Sequence, residues 1–125
     1  MAKPCPCLSG LPYDECCARL HRGDAQAATA EQLMRSRFSA FAVGDADYLI
    51  ASWHPSTRPS TLELDTELRW YRLDIIGRSA GGPLDREGRV EFEAFYRSPD
   101  GAGSQRENSR FVREDGHWYY LSAHD

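Results

Sequence analysis

Four cysteines lie within thirteen residues, Cys5 and Cys7 followed by the adjacent pair Cys16 and Cys17, and the rest of the 125-residue chain has none. A disulfide framework spreads its cysteines along the chain, whereas a knot of four at one end points to a metal. Neighbouring cysteines make poor disulfide partners, yet both can reach one ion if the backbone turns. Ser9-Gly10 supplies such a turn between the pairs. Four soft thiolates suit tetrahedral Zn²⁺, and a site whose positions are all filled by protein is structural rather than catalytic. A redox-active thiol cluster and a disulfide pair are the alternatives that the spacing leaves open.

The full pattern, Cys5-Pro6-Cys7-Leu8-Ser9-Gly10-Leu11-Pro12-Tyr13-Asp14-Glu15-Cys16-Cys17, resembles the SEC-C zinc knuckle found at the C-terminus of the SecA translocation ATPase. In the SecA version the last ligand is usually histidine and the middle is rich in Gly and Lys. Here Cys17 takes the histidine's place, and Leu8, Leu11 and Asp14-Glu15 replace the basic middle. The resemblance implies zinc; it does not carry over a partner.

The length fits one compact domain with the knuckle as an appendage, which divides the chain into a knuckle at 1–24 and a folded domain at 25–125. Fifteen basic and nineteen acidic residues give a net charge of −4, and Lys3 is the only lysine. Nucleic-acid binding calls for a basic stripe, so that class is set aside. No apolar run approaches a membrane span, and Met1-Ala2-Lys3-Pro4 lacks an apolar signal region. The expected compartment is the cytoplasm, where thiolates stay reduced.

The elements that position these groups change period midway. Glu15 to Leu20 reads as a short helix delivering Cys16 and Cys17. Thr29-Ala30-Glu31-Gln32 is a capping-box pattern, and Leu33, Met34, Phe38 and Phe41 follow at helical spacing up to Val43-Gly44. Asp45 can cap a second helix carrying Tyr48, Leu49, Ser52 and Trp53, ended by His54-Pro55. From Glu67 the pattern alternates. Glu67 to Arg78 is a strand with Tyr71, Leu73 and Ile75 on one face, and Arg89 to Arg97 is the cleanest strand, with Val90, Phe92, Ala94 and Tyr96 alternating. Gln105 to Arg113 and His117 to Ser122 flank an Asp115-Gly116 hairpin turn. Helices first and an antiparallel meander afterwards make the fold class α+β.

Leu33-Met34-Arg35-Ser36-Arg37-Phe38-Ser39-Ala40-Phe41, Trp53-His54-Pro55-Ser56-Thr57-Arg58, Gly88-Arg89-Val90-Glu91-Phe92, Glu107-Asn108-Ser109-Arg110-Phe111 and Trp118-Tyr119-Tyr120 resemble the bacterial YchJ family. The element order resembles the nuclear-transport-factor-2-like, or cystatin-like, cone, a curved sheet wrapped around a helix. That likeness implies a pocket at the wide end. Arg35, Arg37, Trp53, His54, Trp70, Glu107, Ser109, Trp118 and Tyr120 are the residues that could line it. His54 is the acid–base candidate, since imidazole titrates near neutrality, with Glu107 to orient it or a ligand. The plainer alternatives are a hydrogen-bonded loop histidine and an ion pair from Glu107 to Arg35 or Arg37.

Two functions remain on the sequence. One is a protein-interaction or adapter module that presents the knuckle surface at Leu8, Leu11 and Tyr13, with the cone available for a homodimer face. The other is a small-molecule-binding protein or enzyme using the cone pocket. The first has a definite motif behind it, the second a fold likeness and scattered polar residues.

Overall fold

The computed structural model describes residues 3–124. Three helices, α1 (Cys17–His21), α2 (Ala30–Val43) and α3 (Ala46–Ala51), precede four strands, β1 (Arg69–Ala80), β2 (Glu87–Ser98), β3 (Gly101–Glu114) and β4 (His117–His124). The strands form one antiparallel sheet in chain order, β1-β2-β3-β4, and α2 packs across its inner face. The architecture is the α+β cone expected from the order of elements.

The helix ends follow their capping residues. Thr29 accepts the backbone N–H of Gln32 at 3.0 Å, while the Gln32 side chain accepts from Ala28 N–H at 2.6 Å, one residue before the usual capping-box partner. Asp45 accepts from Tyr48 N–H at 3.0 Å, so α3 begins where its cap allows. The β3–β4 turn places Asp115 and Gly116 at φ of 53° and 80°, the two left-handed positions that match the twist of a hairpin.

Strand β2 keeps the alternation its sequence announces, burying Val90, Phe92 and Ala94. Strand β1 does not. Tyr71 was expected beside Leu73 and Ile75, but the register to β2 slips between Trp70 and Arg72, and again between Ile75 and Gly77. Two bulges therefore leave Tyr71 and Ile76 unpaired with a partner residue and turn them outward, with Tyr71 41% exposed. Trp70 takes the inner place, packed against the core with Ile75. An alternating pattern cannot reveal an inserted residue, because residues on both sides of the bulge keep their own period of two.

The core joins α2 to the sheet through Leu33, Met34, Phe38, Leu73, Val90, Phe92, Phe111 and Trp118. At one end the contact is backbone-close. A Cβ on Gly88 would lie 2.5 Å from the Gly81 Cα, and one on Gly81 would lie 2.8 Å from the Ala30 Cβ. Gly81 also accepts the Ala30 N–H at 2.9 Å. Two glycines thus let the start of α2 sit on the β1–β2 connection.

The knuckle is not a loose appendage. Leu20 of α1 belongs to the same core as Phe38 and Trp118. His21 lies between Tyr13 Oη (2.6 Å) and the Ser36 carbonyl (2.9 Å), with its ring 4.6 Å from that of Tyr48. Because a carbonyl only accepts, Nε2 carries the proton toward Ser36.

Candidate metal centre and cone cavity

The first site is built by two short returns of the chain. Cys5 to Leu8 closes a turn in which the Cys5 carbonyl accepts the Leu8 N–H at 3.1 Å, and Cys5 N–H reaches the Leu11 carbonyl at 2.9 Å. A 3-10 turn at Tyr13–Glu15 then runs into α1, whose first residue is Cys17. The result brings the Sγ atoms of Cys5, Cys7, Cys16 and Cys17 within 4.8 Å of one another. None of the four is in a disulfide, and Cys5, Cys7 and Cys17 are buried. The Cys7–Cys16 and Cys16–Cys17 sulfur separations are 3.6 and 4.0 Å. Tetrahedral thiolates about 2.3 Å from a common ion stand ~3.8 Å apart, so these two separations are of the size that one shared metal ion requires.

Polar neighbours support these sulfurs. The Ser9 hydroxyl lies 3.2 Å from Cys16 Sγ and also accepts the Leu11 N–H. The buried Ser39 hydroxyl, on α2, lies 3.7 Å from Cys5 Sγ. Arg35 donates to the Cys7 carbonyl at 2.8 Å while paired with Glu31. The hydrogen bond from the Cys17 thiol holds Cys7 down to about 4, against the effect of burial. Cys17 is correspondingly pushed up, first by that same bond and then by burial. A buried thiolate among thiols is an anionic site suited to a cation.

The second site is a cavity of about 200 Å³ between α2 and the sheet. Of the residues proposed from sequence, Arg37, Trp53, Trp70, Glu107, Ser109 and Tyr120 line it, joined by Phe38, Phe41 and Phe92. The β2–β3 register explains the strand contribution. Phe92 faces Glu107 and Val90 faces Ser109, and directly opposed residues share a face. Arg37 is 4% exposed. Its Nη1 donates to the Leu49 carbonyl (2.8 Å) and Ser52 Oγ (2.6 Å), and its guanidinium lies 4.5 Å from the Tyr120 ring centroid and 5.2 Å from that of Trp53. Burial lowers Arg37 to about 10, offset by the nearby Tyr120, Tyr48 and Glu107. Burial likewise raises the Tyr120 hydroxyl.

Three proposed residues lie elsewhere. Arg35 faces the knuckle, as described. Trp118 fills the core and donates its indole N–H to the Ala28 carbonyl at 3.2 Å. His54 bonds Ser56 Oγ at 2.7 Å and Glu114 at 2.8 Å, away from Glu107. The reason is the segment after α3, which runs along β4. Tyr120 N–H donates to the Ser52 carbonyl, and His54 N–H to the Tyr120 carbonyl. This strand-like run covers the sheet edge and keeps Trp53 inside while carrying His54 past the cavity. Glu107 is not joined to Arg35 or Arg37 as an ion pair either: Arg35 takes Glu31, and Arg37 takes Leu49 and Ser52. His21 and Ser39 were not singled out from sequence. Their roles depend on the docking of the knuckle, which no local pattern encodes.

Comparison with known proteins agrees with both halves. A SEC-C motif matches residues 1–19, and the middle NTF2-like domain of YchJ matches residues 29–123. A UPF0225 protein of Corynebacterium glutamicum is 52% identical over 123 residues, covering 98% of each chain. One from Streptomyces coelicolor is 50% identical over 120 residues, covering 96% of this chain and 94% of the relative. The solution structure of a SEC-C motif containing protein from Rhodopseudomonas palustris superposes with a TM-score of 0.83 at 33% identity over 98% of both chains. A crystal structure of a SEC-C motif containing protein from Psychrobacter arcticus gives 0.78 at 29% identity, covering 96% of this chain and 81% of the other. With a SEC-C cysteine cluster docked on a YchJ-type NTF2-like cone, the chain belongs to the UPF0225 family.

Proposed function

We propose that the cluster holds one structural Zn²⁺ and that the zinc knuckle serves as a protein-interaction module mounted on the cone. The observation that carries the metal reading is the closed set of four sulfurs within 4.8 Å, three of them buried. Four protein thiolates would fill a tetrahedral ion's positions, so the ion would order the loop rather than act on a substrate. The interaction reading rests on what the ordered loop displays. Leu8 and Leu11 are 52% and 49% exposed, three residues apart on a segment too short to hold them in place by packing alone. The Leu8 backbone has φ of 66°, a conformation an ordinary side chain adopts only when its surroundings impose it. The cytoplasm suits this arrangement, since the ligands must stay reduced.

Elemental analysis of freshly purified, reduced protein should give one zinc per chain; a value far below one sinks the metal reading. For the interaction, a Leu8→Ser, Leu11→Ser double variant should keep its zinc and its cone. It should lose a protein that the wild type retains in pull-down from native lysate. If the double variant retains the same protein equally well, the knuckle surface is not the docking site.

A further inference from the structure

The cone cavity has no part in the metal centre, yet its chemistry is unbalanced in a definite direction. Its walls are apolar, with Phe38, Phe41, Trp70 and Phe92 on it. Its polar residues are not all satisfied. Ser109 is 1% exposed and its hydroxyl has no hydrogen-bond partner among the described residues; the indole N–H of Trp53 has none there either. Folded chains rarely leave buried polar atoms in this state, because each one unmet costs about 1–3 kcal/mol. An indole N–H can only donate, so what it lacks is an acceptor. Arg37, on the same cavity, already gives its Nη1 to the Leu49 carbonyl and Ser52 Oγ, while Tyr120 and Gln105 can donate or accept. Glu107 is the one carboxylate there, and its charge offsets that of Arg37.

Size narrows the occupant further. A volume of about 200 Å³ holds roughly seven waters at ~30 Å³ each. It falls below the range of drug-sized sites. We infer that the cone binds a small, uncharged molecule with an apolar body and a carbonyl oxygen, the oxygen directed to the Trp53 indole and Ser109 hydroxyl and the body packed against Phe38, Trp70 and Phe92. The offsetting charges of Arg37 and Glu107 disfavour a net ion inside, and the aromatic walls reward a flat apolar body. This site is independent of the knuckle, so its failure would leave the metal reading untouched.

The test uses the full chain in its zinc-loaded form, titrated in ¹H–¹⁵N spectra with acetophenone, ethylbenzene, benzoate and phenethylamine. Acetophenone should shift the Trp53 indole N–H and the Ser109 amide, and bind about fivefold or more tighter than ethylbenzene, which lacks the oxygen. Trp53→Phe, which keeps the ring but removes the N–H, should erase most of that preference. Ser109→Leu should block all four probes. Should that variant misfold, the wild-type titration still decides. Absence of any shift at Trp53 and Ser109 with millimolar acetophenone overturns the inference. So does equal binding of ethylbenzene, or tighter binding of benzoate or phenethylamine than of acetophenone.

Discussion

The knuckle and the cone order their chains with different materials. The cone buries Phe38, Phe92, Phe111 and Trp118 between a helix and a four-stranded sheet. Removal of that apolar surface from water holds it together in any ordinary buffer. The knuckle buries Cys5, Cys7 and Cys17 around one another, with Tyr13 and Cys16 beside them. Sulfur packing of that size cannot offset the entropy of ordering a loop, and thiolates repel one another until a cation joins them. On the proposed metal reading, stability is built into the cone and conditional in the knuckle. The two meet through Leu20, which reaches the cone core, and through His21, Ser39 and Arg35, which link the knuckle to α2. Three of these four links are polar, so the conditional part is attached chiefly by groups that release it without tearing the core.

Cys7→Ser attacks the conditional part and should have the largest effect. Structural zinc supplies on the order of 10 kcal/mol to such a fold, and loss of one of four thiolates should abolish stoichiometric metal in elemental analysis while the cone's near-ultraviolet circular dichroism persists. Phe111→Ala attacks the permanent part. A fully buried phenylalanine on the inner strand β3 costs about 3–5 kcal/mol when truncated, so the denaturation midpoint of the cone should fall steeply with zinc content unchanged. Gly88→Ala should cost about 1–3 kcal/mol, since its Cβ meets backbone that cannot move aside. Metal content should again be unchanged.

His21→Phe tests the attachment itself. It keeps the ring against Tyr48 but removes the bonds to Tyr13 and Ser36. The expected cost is about 1–2 kcal/mol, with faster hydrogen exchange across 13–21 than across β2 and β3. Equal protection of both regions in the variant would mean that His21 is not a latch.

What could be read from the sequence follows the same division between local and distant causes. The four cysteines, the Thr29 and Asp45 caps, the alternation of β2 and the Asp115-Gly116 turn were legible because each depends on residues a few positions apart. The bulges at Tyr71 and Ile76 were not, since they are defined by the partner strand. His54 is the hydrogen-bonded loop histidine of the plainer reading, and its place outside the cavity was hidden for a related reason. Its position is fixed by hydrogen bonds to Tyr120, sixty-six residues further on, and not by the helix end that precedes it. Glu107 and Ser109 could be put on one face from their spacing, but the absence of an arginine partner for Glu107 could be seen only once Arg35 was drawn to the knuckle and Arg37 to Leu49 and Ser52.

The central claim is that one metal ion orders the knuckle while the cone stands without it. It is tested most directly by adding a strong chelator at neutral pH to the reduced, ¹⁵N-labelled protein and following every backbone amide. The account predicts that amides in 3–24 collapse toward random-coil positions. The four strands should keep their dispersion, with shifts confined to what the knuckle touches: α2 around Arg35, Ser36 and Ser39, Tyr48, and the core side chains beside Leu20. A single cooperative loss of all amides would contradict it, as would knuckle amides that stay dispersed after the metal has gone.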